Sequence, residues 1–297
     1  MPLALSIKKI LKSFNFQKIN FIIQSIIFVI VISTLSCTPP NVPKNINDDF
    51  NNPNDPNSKN FVKPTVQIIS GPSEGVRLFT RTATFAWSGN NVAKMFSWRL
   101  DTSQWSDWSI DTTLILNYMD DDLHKFIVRA RHENNVSISD ITDPLSIRNF
   151  TVDILQSPAL FIVPNTIERN LQNQFYVVLR MKQVSSLLSA HVTLKYDKSK
   201  IQILSAVADT FLARNYGQPV LIEDNNIVNG TIDLNFGVGL GNPKGVFGTG
   251  SLIKLRVKGV SAGATFISIL QDSILVLDTL RQKIIIKQID SCNVIIK

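Results

Sequence analysis

A chain of 297 residues has room for about two domains. Its 44% hydrophobic content supplies sizeable cores and excludes a disordered polymer, and two cysteines exclude a disulfide framework. The formal charge is +7, but Lys8, Lys9, Lys12 and Lys18 precede Cys37 with no acidic residue among them. Removing those four leaves +3 for the rest, too mild a balance to read as nucleic-acid binding.

Residues 1–36 read as a secretory signal: a basic start, an apolar run over 19–35, and the small residue Ser36 before Cys37. A cysteine in that place resembles the lipobox of bacterial lipoproteins. The resemblance implies that Cys37 becomes the first mature residue and carries lipid. The protein would then sit in the bacterial cell envelope, outside the cytoplasm, at the outer membrane or cell surface. An apolar run of this length also fits an uncleaved transmembrane anchor. Either way the chain is tethered to a membrane, and with Cys37 lipidated Cys292 has no disulfide partner. Residues 37–63 form a linker. Eight Asn and five Pro among positions 38–63 leave little apolar surface to offset the entropy of ordering. Asp48, Asp49 and Asp55 lack the spacing of a calcium loop.

Residues 64–153 predict a small β-sandwich. Runs at 84–87, 96–100, 112–116, 125–130 and 149–152 alternate or are rich in β-formers, and Asp120, Asp121 and Asp122 mark a turn between them. About seven short strands are expected. The segment is similar to bacterial immunoglobulin-like or fibronectin type III-like spacer modules, without the intersheet cysteine pair of antibody domains.

Residues 155–297 predict a second all-β domain with nine strands near 160–163, 174–181, 190–196, 201–208, 220–223, 231–236, 251–257, 265–271 and 284–296. Val192, Leu194 and Tyr196 alternate with His191, Thr193 and Lys195, which is a strand with one face in a core. Asp197 then opens a short polar turn before the next apolar run. Later come Gly248 and Gly250, a strand, and a turn ending at Gly263. This order resembles the cohesin family over about 140 residues. The fold class expected is therefore all-β, an immunoglobulin-like sandwich followed by a nine-stranded cohesin-like jelly roll. The resemblance implies a receptor whose sheet face docks a dockerin-bearing or other surface protein, with any calcium held by that partner and no cofactor here. It also implies a polysaccharide context. Carried over by position, the docking residues are His191, Thr193 and Lys195 of one strand, Glu223 of another, and Asp233 and Asn235 of a third, followed by Val238. Cohesins often carry an acidic residue near His191 and an aliphatic one near Asn235.

Other motifs have plain readings. Gly71-Pro72-Ser73-Glu74-Gly75 matches a nucleophile elbow, but a strand pattern rather than a helix follows it. His124, His132 and His191 lack metal-ligand spacing. The glycines at 237–250 precede a strand, so no phosphate cradle forms. Trp87 and Trp98 belong to a sandwich core, while Trp105 and Trp108 flank a turn and offer a second, carbohydrate-binding edge. No convergent acid, base or metal set appears, so no enzyme is expected. A purely structural envelope role is the remaining alternative.

Overall fold

The computed structural model describes residues 60–133, 146–214, 218–239 and 244–297. The signal segment, Cys37 and nearly all of the linker lie outside these residues. Among the described residues no helix is long and apolar enough to cross a membrane. The described residues are all-β apart from a one-turn helix α1 (Thr210–Ala213) and a short 3-10 turn at Gln271–Ser273.

The first sandwich holds seven strands: β1 (Val66–Ser70), β2 (Val76–Leu78), β3 (Ala83–Gly89), β4 (Met95–Leu100), β5 (Thr113–Leu116), β6 (Leu123–Arg131) and β7 (Ser146–Val152). They form a three-stranded sheet, β1-β3-β5, and a four-stranded sheet, β2-β7-β6-β4. Alternation places Phe126, Val128 and Ala130 inward, where they meet Phe85, Trp87, Phe96 and Phe150. Phe85 stacks on Phe126 at 4.0 Å between ring centroids. Gly71 and Gly75 flank a turn that runs into β2, with no helix after Ser73.

The second sandwich follows: β8 (Ala159–Val163), β9 (Thr166–Arg169), β10 (Gln174–Tyr196), β11 (Ile201–Ala208), β12 (Val220–Asn226), β13 (Thr231–Gly237), β14 (Val246–Gly259), β15 (Gly263–Ile269), β16 (Leu275–Asp278), β17 (Gln288–Asp290) and β18 (Cys292–Ile296). Strand β10, 23 residues long, joins two runs expected as separate strands. Its first half pairs with β14 and β8, and its second half with β13, β15 and β16. Register shifts between Leu179 and Leu187 mark bulges, which bend a strand and increase its twist. Through the bend the core residues fall three apart, at Met181, Val184, Leu187 and Ala190, instead of two. The inward set thus changes from odd to even numbers, so one strand lines the core from both leaves. The expected single strand at 284–296 is β17 and β18, while β9 and β16 add to the expected set.

Asp197 closes its turn as expected, accepting from Ser199 N at 2.8 Å and from Ser199 Oγ at 2.6 Å. Those bonds hold the Asp197 carboxyl below the usual carboxylate range. Cys292 is buried and unpaired in the core. Burial, then the charges of Asp120 and Asp290, push its thiol up to about 12. It is therefore a packing residue without nucleophilic character at neutral pH.

The Asp120–Asp122 turn is also the junction between the sandwiches. Asp121 is buried; its carboxylate accepts from Ile154 N and Leu155 N, both at 2.8 Å, and pairs with Lys182 Nζ at 2.6 Å. Lys182 also meets Asp153 at 2.6 Å. That hydrogen bond lowers the Asp153 carboxyl against its own desolvation. Asp122 pairs with Arg180, Arg81 with Asp290, and Asp120 accepts from Asn165 N at 2.6 Å. Leu155, Ala159 and Phe161 seal the seam with apolar contacts.

His124 lies behind this turn. Its Nδ1–H donates to Asp101 and its Nε2–H to the Asp120 carbonyl, each at 2.8 Å. Burial alone would lower its pKa, but the Asp101 hydrogen bond, the Asp120 carbonyl and both carboxylate charges outweigh it and hold the pKa above the ordinary 6.5. Both ring nitrogens donate, so the imidazolium is the bound form.

Two outcomes follow. Lys182→Met leaves Asp121 buried without a counter-charge and should cost about 3–5 kcal/mol of unfolding free energy in urea titration. A raised histidine pKa contributes stability that is fully present below the unfolded value and lost as pH rises through the folded one. Unfolding free energy should therefore include a His124 component that declines as pH rises above the ordinary histidine value of about 6.5, and His124→Gln should remove that decline.

Candidate functional site

The outer face of the second half of β10 is set by alternation. Val192, Leu194 and Tyr196 fill the core, so His191, Thr193 and Lys195 point away from it. Pairing with β13 places Asn235 beside His191, Asp233 beside Thr193 and Thr231 beside Lys195. On the far side, β12 sets Ile222 opposite Asn235, and Asp224 opposite Asp233. On the near side, β16 sets Leu275 opposite His191 and Leu277 opposite Ser189. The face is therefore four strands wide.

Its two ends differ in chemistry. One end holds Val220, Ile222, Leu275 and Leu277 around His191 and Asn235. They line a groove of about 460 Å³. Ile222 is 64% exposed and Leu275 43%, an apolar shelf that folding leaves in water. The other end is polar. His191 Nδ1 lies 2.9 Å from Asn235 Oδ1, and Thr193 Oγ1 donates to Asp233. Thr193 N donates to Ser273 Oγ at 2.9 Å, which ties the 3-10 turn to the face. These side chains satisfy one another and form no acid–base or metal arrangement. Among the described residues no group of three or more His, Cys, Asp or Glu is placed to hold a metal ion.

The structure thus brings His191, Thr193, Lys195, Asp233 and Asn235 together on one face, with Lys195 exposed and Thr193 largely covered. Of the other two expected residues, one faces away and one lies beneath the face. Glu223 pairs with Leu234, whose side chain enters the core. It therefore overhangs the core side of the edge strand, and Ile222 and Asp224 are the outward members, because a shift of one residue reverses the face. Val238 is 7% exposed and belongs to the core, forming part of the groove floor. Sequence reading missed Val220, Ile222, Leu275 and Leu277. The run Val220-Leu221-Ile222 is apolar throughout and carries no alternation that singles out its outward members.

Trp105 and Trp108 lie on the first sandwich. Their segment runs along β4, with Ser106 N bonded to Trp98 O at 2.8 Å and Ser109 N to Phe96 O at 2.9 Å. Ser106 Oγ also accepts from Trp98 N at 3.0 Å. Both rings then meet arginines of β4 and β6. Arg99 and Arg129 lie 4.7 and 3.9 Å from the Trp105 ring centroid. Arg129 and Arg131 lie 4.7 and 4.6 Å from that of Trp108. Cation and ring alternate along one line, so the indole faces expected to receive a sugar hold guanidinium groups instead.

No family model matches the chain, and no curated protein matches it. It is similar to solved cohesin structures. One is a cohesin of Clostridium acetobutylicum, CaCohA2, solved in solution: 17% identity, 47% of this chain and 90% of that chain covered, TM-score 0.40. A second is a non-cellulosomal cohesin from the archaeon Archaeoglobus fulgidus: 11% identity, 47% and 90% covered, TM-score 0.39. A third is the OlpC cohesin–dockerin complex of Clostridium thermocellum: 16% identity, 47% and 92% covered, TM-score 0.40.

Because Ile222 and Leu275 already contact water, Ile222→Asp and Leu275→Asp should shift unfolding free energy by no more than about 0.5 kcal/mol in urea titration.

Proposed function

We propose that this chain is a surface-anchored binding protein rather than an enzyme. The docking face is the outer surface of β12-β13-β10-β16, and the partner is a dockerin-type or other surface protein. The carrying observation is the apolar shelf of Val220, Ile222, Leu275 and Leu277 beside a polar field of Asp224, Asp233, Thr193 and Lys195. An apolar anchor region with a polar surround is the anatomy of a protein interface. The cohesin-like order of turn and strands around Tyr196-Asp197 makes a dockerin the partner class to test first. In this reading Cys37 carries the lipid, residues 37–63 are the tether, and the immunoglobulin-like or fibronectin type III-like sandwich is a spacer. Calcium belongs to the partner, and the setting is polysaccharide breakdown.

The test is calorimetric titration of the full-length protein with a panel of recombinant dockerin modules, with calcium and with chelator. Calcium-dependent binding is expected for at least one module. Ile222→Asp should weaken it about thirtyfold, the scale of a central anchor residue. A panel without calcium-dependent binding, or binding indifferent to Ile222→Asp, overturns the reading.

A further inference from the structure

The line of Arg99, Trp105, Arg129, Trp108 and Arg131 has a chemistry that the docking face does not use. We infer that this ladder is a binding strip for a linear polyanionic glycan, one carrying carboxylate or sulfate groups along its length.

A guanidinium stacked on a ring spends its faces on that ring. Its N–H donors stay in its own plane, at the rim of the stack, in the fork that matches an oxyanion. The indole faces hold guanidinium groups, and Arg99 and Arg129 keep N–H donors at the rim, so the strip selects for charge and not for the apolar face of a neutral sugar. Two of the cations also lack an internal counter-charge: Arg99 and Arg129 form no ion pair with a carboxylate among the described residues. Their Nε atoms are buried without a hydrogen-bond partner. Burial, then the charges of Arg99 and Arg131, press the Arg129 guanidinium below its ordinary value. Folding thus gathers like charges around Arg129, and an external anion relieves them. All three arginines are half-exposed, so an anion has access.

A glycan fits better than an acidic peptide. A peptide gains much of its affinity by adding a strand to a free edge. Here the edge of β4 is already taken by the Trp105–Ser109 segment, through Ser106 and Ser109. A charged glycan needs no backbone edge, only acceptors repeated along a line. The arginines supply that repeat, two within 4.7 Å of each ring centroid.

The test is affinity electrophoresis of the full-length protein through gels containing polygalacturonate, dextran sulfate, neutral dextran, polyglutamate or single-stranded DNA. Polygalacturonate or dextran sulfate should retard the protein, neutral dextran should not, and high salt should abolish the effect. Arg129→Gln should weaken retardation about tenfold, the scale of one charge-assisted contact, and Arg129→Lys less. Arg99→Gln, at the open end of the ladder, should also weaken it, and its thermal melt tells lost binding from lost folding. Absence of retardation by both anionic glycans overturns the inference. So does retardation unchanged in folded Arg99→Gln and Arg129→Gln. Binding of polyglutamate or single-stranded DNA without either anionic glycan also overturns it.

Discussion

Strand β10 has to face the core twice. Its first half packs inward with Phe175, Val177, Leu179 and Met181, and its second with Ala190, Val192, Leu194 and Tyr196. A strand of strict period two that kept its first face would turn His191, Thr193 and Lys195 into the core and Val192 and Leu194 into water. The three-residue steps at Val184 and Leu187 prevent this. They absorb the change of parity in bulges and turn the corner between leaves. The face proposed for docking exists because of that change, since β13, β15 and β16 take their register from the second half of β10.

How much of this was legible depends on the period. Where burial follows period two, as in β13 and most of β6, the strands fell where alternation put them. The three-residue steps of β10 match no strand period, so the bend read as a gap between two strands. Strand β16 is four residues long and follows a 3-10 turn, too short to show a pattern. The outward set of β12 was misread by one residue, because an edge strand exposes both faces and Glu223 looks as plausible as Ile222. The Asp120–Asp122 turn was placed correctly as a turn. Its work at the junction was not legible, since Arg180 and Lys182 lie some sixty positions away in sequence and only the fold brings them near.

The two surfaces with binding chemistry lie on different sandwiches and use different forces. The β12-β13-β10-β16 face offers apolar area with satisfied polar neighbours, so its strength depends on shape and dewetting. The arginine ladder offers clustered positive charge, so its strength depends on ionic strength. Salt therefore separates them: raising it weakens the second and leaves the first nearly intact. The junction between Asp120–Asp122 and β8-β10 holds both surfaces on one frame.

The buried Lys182–Asp121 pair of that frame has a consequence for sequence drift. Lys182 sits between Asp121 and the half-buried Asp153, and Asp121 also caps two backbone N–H groups. Loss of Lys182 alone strands the Asp121 carboxylate away from water, and loss of Asp121 strands two backbone donors, whereas loss of Asp153 leaves Lys182 paired. Positions 121 and 182 are thus tied to each other. Descendants of this chain should keep both, with position 153 freer to vary.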